Sequence, residues 1–229
     1  MKAAALAVLL LLAAPFDDIN FTASSVNVAE PGIPVKIKIL RWSTEDEVRP
    51  IVTALSAPPA QPSEVARANA GSPPGAARGR GAAAGGRGRG RGGPALAPLS
   101  PIAAFTAALG RAPTLGYIWT NDITGYAIKY AWHAPLQGGT DRIVLVSDRR
   151  LGAYTNAWKP LAAEASAKAA DTDYTFTLIE LRAGPKGSLE GKTSLTSKIV
   201  VDTEEKTVAL ENYSATTTTL ETAKTAKTR

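Results

Sequence analysis

His133 is the only imidazole in the 229-residue chain, and the chain has no cysteine. Those two facts bound the chemistry before any element is placed. Thiolate nucleophiles, disulfide staples and cysteine-bound zinc are excluded, and one histidine gives no basis for a histidine-rich metal centre. A serine-type relay needs a nucleophile and a carboxylate beside its base, and no G-x-S-x-G turn occurs. His133 is a catalytic candidate only as a lone general base. It shares an alternating strand face with Lys129, which favours an exposed side chain. Glu180 is the second candidate, because it interrupts the apolar run FTLIEL on the face of Phe176 and Leu178. A carboxylate on such a face has either a perturbed pKa and a chemical role or a Lys or Arg partner. The partnered reading is favoured.

The remaining acidic and glycine-rich motifs read as structure. Glu45, Asp46 and Glu47 follow Ser43-Thr44, the pattern of a helix N-terminus with a Thr44/Glu47 capping box. Glu204-Glu205 reads as a charged turn. Gly184-Pro185-Lys186-Gly187-Ser188 lacks the spacing and the following helix of a phosphate loop. No residue set calls for a cofactor or a metal. Aromatic residues are concentrated from Trp119 to Trp158. Tyr126, Tyr130 and Trp132 alternate on one strand face, which reads as core. Tyr154 and Trp158 fall in an irregular stretch and are the ligand-contact candidates.

The formal charge of +6 is unevenly placed. Residues 56–100 carry six arginines against Glu64, Lys2 adds one more, and the rest of the chain balances 19 basic with 19 acidic side chains. The part able to fold is neutral, so its composition does not describe a specific nucleic-acid reader. Residues 56–100 hold ten of the 20 glycines and seven of the 16 prolines. The densest stretch, Ala77–Pro94, has no aromatic or β-branched residue. Such a segment buries too little apolar surface to offset its ordering entropy, so it is expected to be a disordered insertion. A loop expansion without a role is the favoured reading, since loop closure tolerates length. Polyanion contact through Arg78, Arg80, Arg87, Arg89 and Arg91 is the functional alternative. Aromatic stacking partners are absent there, which leaves only the electrostatic half of a nucleic-acid-binding segment.

These residues must be positioned by what flanks the insertion. Met1-Lys2 followed by AAALAVLLLLAA has the basic start, short apolar run and small residues of a signal peptide over 1–14. The run is too short for a stable span, so the mature chain is expected to carry no transmembrane anchor. Val35, Ile37 and Ile39 alternate with Lys36 and Lys38, the period of a strand with one wet face. A helix is expected from Thr44 to about Leu55, kinked or shortened by Pro50, and another from Pro101 to Gly110. Strands are expected near 21–28, at 116–120, 126–133, 142–147, 174–182, 189–201 and 206–213. Residues 160–170 suit a surface helix or loop, and 215–229, with Leu220 as their one large apolar residue, a disordered tail. Short connections imply antiparallel hairpins. The fold class is α+β: an antiparallel sheet or partly closed barrel with two short helices, one domain over 15–55 plus 101–214.

The stretches IxRWSTEDE (Ile39–Glu47), GYIWT (Gly116–Thr120), RIVLVSDRRLG (Arg142–Gly152), FTLIELR (Phe176–Arg182) and ENY (Glu211–Tyr213) resemble small predicted secreted bacterial proteins of an uncharacterised family. The resemblance covers both flanks and skips 56–100. It implies export and a single domain, and it carries no catalytic residue, cofactor or substrate. The expected function is a non-enzymatic exported binding or envelope-associated protein. Its expected partner is a small ligand or an envelope polyanion. A small secreted hydrolase and a polyanion tether are the alternatives.

Overall fold

A computed structural model describes residues 19–56, 99–136, 140–161, 173–183 and 188–221. The signal segment, the insertion between 57 and 98 with its arginines, the turns at 137–139 and 184–187, the Ala-rich stretch 162–172 and the tail from 222 lie outside the described residues. In chain order the elements are β1 (Ile19–Ser25), β2 (Pro34–Ile39), α1 (Glu45–Ser56), α2 (Pro101–Arg111), β3 (Gly116–Trp119), β4 (Tyr126–Leu136), β5 (Thr140–Ser147), β6 (Leu178–Ala183), β7 (Leu189–Thr193), β8 (Ile199–Asp202), β9 (Thr207–Leu210) and β10 (Thr218–Glu221). Eight strands close an antiparallel barrel in the order β1-β10-β7-β6-β5-β4-β3-β2, and β8–β9 form a separate ribbon. The fold is α+β, and the sheet is a fully closed barrel.

An eight-stranded barrel is just wide enough for side chains to fill it. Here Val35, Ile37, Ile118, Ile128, Leu145 and Leu220 point inward and are buried. Lys36 and Lys38 alternate outward on β2. An apolar interior with lysines outside is the reverse of the pattern in a membrane-spanning barrel. A second core lies outside the wall formed by β4, β5 and β6. Tyr130, Val144, Val146 and Leu178 from that wall meet Phe105 and Leu109 of α2, Ile51 of α1, and Val208 and Leu210 of β9. The two helices pack on each other and, with the ribbon, cover this wall.

One irregularity gives β4 its two roles. The β4–β5 register shifts between Ile128 and Tyr130, a β-bulge. An extra residue reverses the facing of every side chain after it. Tyr126 and Ile128 therefore sit in the barrel with Ala131, while Tyr130 joins the outer core. The single aromatic face expected over 126–132 is thus split by the bulge.

Four further expectations are corrected. The expected disordered tail contributes β10, which pairs with β1 on one side and β7 on the other and buries Leu220 inside the barrel. The expected strand over 189–201 is two strands, because Thr193 and Ser194 turn the chain. The Thr193 hydroxyl accepts from Leu195 N–H at 3.4 Å and the Ser194 hydroxyl from Leu178 N–H at 3.0 Å, replacing ladder bonds. α1 runs through Pro50 for 12 residues without ending there; its packing on α2 and the ribbon holds it. Trp158, expected as a contact residue, is 1% exposed in the barrel core. Backbone bonds from Ala29 N–H to Lys159 and from Glu30 N–H to Ala157, at 2.8 and 3.0 Å, fold this stretch against the β1–β2 connection.

Inside the barrel Gly191 leaves room for Leu220: a Cβ there would lie 2.8 Å from the Leu220 Cβ and 2.7 Å from Leu181 Cδ2. Shortening Leu220 to Ala is expected to destabilise the protein by about 2–5 kcal/mol, as for other buried leucines. Urea unfolding measures it. A loss within error of zero would mean that β10 is dispensable.

Candidate functional site

Arg41 begins the positioning of the deepest cleft. Its guanidinium grips Glu47 at 2.7 and 2.8 Å and also reaches the Trp42 carbonyl at 3.1 Å. Glu47 in turn accepts from Thr44 N–H at 2.9 Å, the expected reach-back of a capping box. The Arg41 guanidinium, outweighing burial, holds the Glu47 carboxyl at about 2. Ser43 ties this turn to β4, with Ser43 N–H donating to the Ala131 carbonyl at 2.8 Å and the Ser43 hydroxyl accepting from Ala131 N–H at 3.1 Å. The turn is therefore clamped on both sides. The Trp42 ring lies 4.3 Å from that of His133, centroid to centroid.

β4 is longer than its neighbour on this side. β3 pairs with it only up to Ile128, while β5 follows it to Leu136. Beyond the Ser43 clasp, β4 borders open space, and Pro135 lacks the N–H that would invite another strand. The cleft of about 630 Å³ lies here. Trp42, Trp132 and His133 line it, with Arg49 from α1 and Glu205 and Lys206 from the β8–β9 turn. Lys206 takes a left-handed conformation, φ 52°. Asp202 shapes that turn by accepting from Glu204 and Glu205 N–H, each at 3.1 Å. It also receives Arg142 at 2.8 Å. Burial would raise the Asp202 carboxyl, but these bonds outweigh it and hold it below its ordinary value.

His133 is exposed and touches Trp42, and among the described residues no carboxylate or hydroxyl hydrogen-bonds its ring. It has the surroundings of a contact residue rather than of a relayed base. Glu180 is elsewhere, on the outer face of the barrel wall, at 0% exposure. Arg142 approaches it at 3.0 Å and Arg182 at 2.9 Å, and Leu210 N–H donates at 3.3 Å. Lys192 lies opposite it on β7 and donates to the Tyr213 carbonyl at 2.8 Å. The Arg182 guanidinium sits 3.7 Å over the Tyr213 ring. This buried network joins three barrel strands to the ribbon and presents no open face for a substrate. The partnered reading of Glu180 describes its surroundings.

Tyr154 is exposed, beside a depression of about 410 Å³. Trp158 borders the same depression from the core side. The structure thus brings neither Glu180 nor Tyr154 to the cleft that holds His133. Sequence reasoning missed Trp42 and Arg49. Their signal was the RW pair directly before a capping box, which fixes what precedes a helix as firmly as the helix itself. Among the described residues no group of three or more histidine and acidic side chains could hold a metal ion. No helix among them is long and apolar enough to cross a membrane. Comparison with family models, curated proteins and solved structures finds no match to this chain.

Two outcomes follow from these networks. Glu180→Ala strands buried cations and is expected to cost about 3–5 kcal/mol in urea unfolding. A cost below 1 kcal/mol, about that of an exposed pair, would show that the network contributes little. Because the folded pKa of Glu47 lies below its unfolded value, its contribution is complete above about pH 4.3 and is lost as pH falls toward the folded value. Arg41→Ala should therefore lower stability at neutral pH and flatten the acid limb of the stability profile. A profile parallel to that of the unaltered protein would refute the coupling.

Proposed function

We propose that the chain is an exported, non-enzymatic binding protein whose small ligand enters the cleft between α1, the open edge of β4 and the β8–β9 turn. One observation carries this reading: the cleft joins a clamped aromatic wall, Trp42 with His133 and Trp132, to a rim of both charges. Apolar walls with a few placed polar groups are the usual form of a small-molecule site. The wall suits a planar or apolar body. Arg49 and Lys206 suit a carboxylate on it, and Glu45 and Glu205 an ammonium group. Pre-clamping Trp42 lowers the ordering cost of binding. The hydrolase alternative draws little support from a lone imidazole and a sealed Glu180. Export rests on the composition of residues 1–14 and on the resemblance already described.

Amino acids and short peptides with aromatic side chains are the first probes, read by tryptophan fluorescence and thermal shift. A bound member should raise the melting temperature, and Trp42→Ala should weaken it roughly tenfold or more, as for an anchoring aromatic. Absence of any shift across the panel, or ester turnover abolished by His133→Ala, overturns the binding reading. Export has its own check. Expressed in a bacterial host, the full chain should reach the periplasm with its N-terminus cut close to Ala14. Cytoplasmic retention of an uncut chain refutes it.

A further inference from the structure

A second surface lies on the outer face of β2 and β3, away from the residues of the cleft. Their register places Lys36 opposite Trp119 and Lys38 opposite Tyr117. All four belong to the outward set, because Val35, Ile37 and Ile118 of the same strands point into the barrel. Tyr117 and Trp119 are 40% and 41% exposed, with ring centroids 5.6 Å apart and planes tilted by 35°. Two large rings left side by side in water are unusual for a barrel whose interior takes its other apolar groups. The indole is also held in place. Gly125 lies under it so closely that a Cβ would fall 3.0 Å from the indole nitrogen.

Polar groups gather at the edge of these rings. Trp119, Tyr117, Gly125, Asp148 and Arg149 border a shallow depression of about 410 Å³. The Arg149 guanidinium is fixed between the rings of Tyr126 and Tyr154, 5.2 and 5.6 Å from their centroids, and donates to the Gly125 carbonyl. Its Nε has no hydrogen-bond partner, and neither does Oδ1 of Asp122 in the β3–β4 turn. Asp122 spends its other oxygen on the Tyr126 hydroxyl. A preorganised guanidinium beside carboxylates and flat rings suits a ligand that is both hydroxylated and flat-faced. A pyranose presents a C–H face to stack on an aromatic ring and hydroxyls that bond planar polar side chains at its edge.

Charge decides between two chain-like ligands. Lys36, Lys38 and Arg149 stand against Asp122 and Asp148, a small positive balance. A nucleic-acid track needs cations at the spacing of its phosphates, and carboxylates beside it would repel them. The same carboxylates accept hydrogen bonds from sugar hydroxyls, and the two lysines suit carboxyl groups spaced along the chain. We propose that the outer face of β2 and β3 binds an acidic polysaccharide, with pyranose rings on Trp119 and Tyr117, carboxylates at Lys36 and Lys38, and hydroxyls at Asp148 and Arg149.

Titrating the full chain with a galacturonic-acid oligomer, a neutral galactose oligomer and an oligothymidylate tests this, read by calorimetry and tryptophan quenching. The acidic oligomer should bind best. Trp119→Ala should weaken it roughly tenfold, the scale of an aromatic anchor, with an unchanged melting temperature. Tyr117→Ala serves if the first variant loses its fold. Lys36→Gln with Lys38→Gln should weaken it and flatten its salt dependence. Three results overturn the proposal. The oligothymidylate could bind more tightly than the acidic oligomer. Binding could survive Trp119→Ala and Tyr117→Ala yet vanish when Arg78, Arg80, Arg87, Arg89 and Arg91 become Gln, or vanish with Trp42→Ala. No oligomer could bind at all.

Discussion

The wall formed by β4, β5 and β6 is buried on both faces, and the remaining architecture answers that constraint. On β5, Ile143 and Leu145 close the barrel while Val144 and Val146 face outward into a second apolar layer. A strand that is apolar on both sides cannot be left as a barrel exterior in water. Two helices and a ribbon are therefore required over it. At one place the wall carries charge instead, where Glu180 lies between Arg142, Arg182 and the ribbon backbone. Burying that carboxylate alone would be costly, and its geometry relative to two guanidinium groups fixes how the ribbon sits. Arg142 extends the effect to Asp202 and so to the turn that supplies Glu205 and Lys206 to the cleft.

Elements with a strict local period were legible in the sequence. β2 shows the alternation of one wet face, β3 follows GYIW, and the capping box at Thr44–Glu47 forms by the expected side-chain reach. Hairpin order also followed, since short connections leave neighbouring strands antiparallel. The misses share a physical cause, which is that the deciding contact is distant in sequence. β10 has weak local apolar content and becomes a strand only because β1 and β7 each offer it a free edge. Trp158 sits in an irregular stretch, yet a barrel end needed filling. The bulge near Lys129 is a mismatch with β5 and has no signature within β4 itself.

The candidate site was legible in part. His133 was visible as the only imidazole and as an exposed residue, and its ring is exposed. Its neighbour Trp42 comes from a segment some ninety residues earlier, brought there by the Ser43–Ala131 clasp. Glu180 was visible as an acid in an apolar strand, and Arg182 as a basic residue two positions on. The involvement of Arg142 depends on strand register, and that of the Leu210 amide on how the ribbon folds over the wall. A site assembled from a turn, an overhanging strand and a ribbon tip has no linear motif to be found.

Barrel closure has a temporal side. β10, the last strand of the barrel in the chain, pairs with β1, the first. During synthesis the N-terminal strands emerge with one edge waiting for a partner near residue 220. Loop closure over such a distance is slow and comes late. A nascent chain of this topology cannot lock into its native barrel until almost all of it has been made. That delay keeps the polypeptide threadable, the condition that a chain exported in the unfolded state must satisfy.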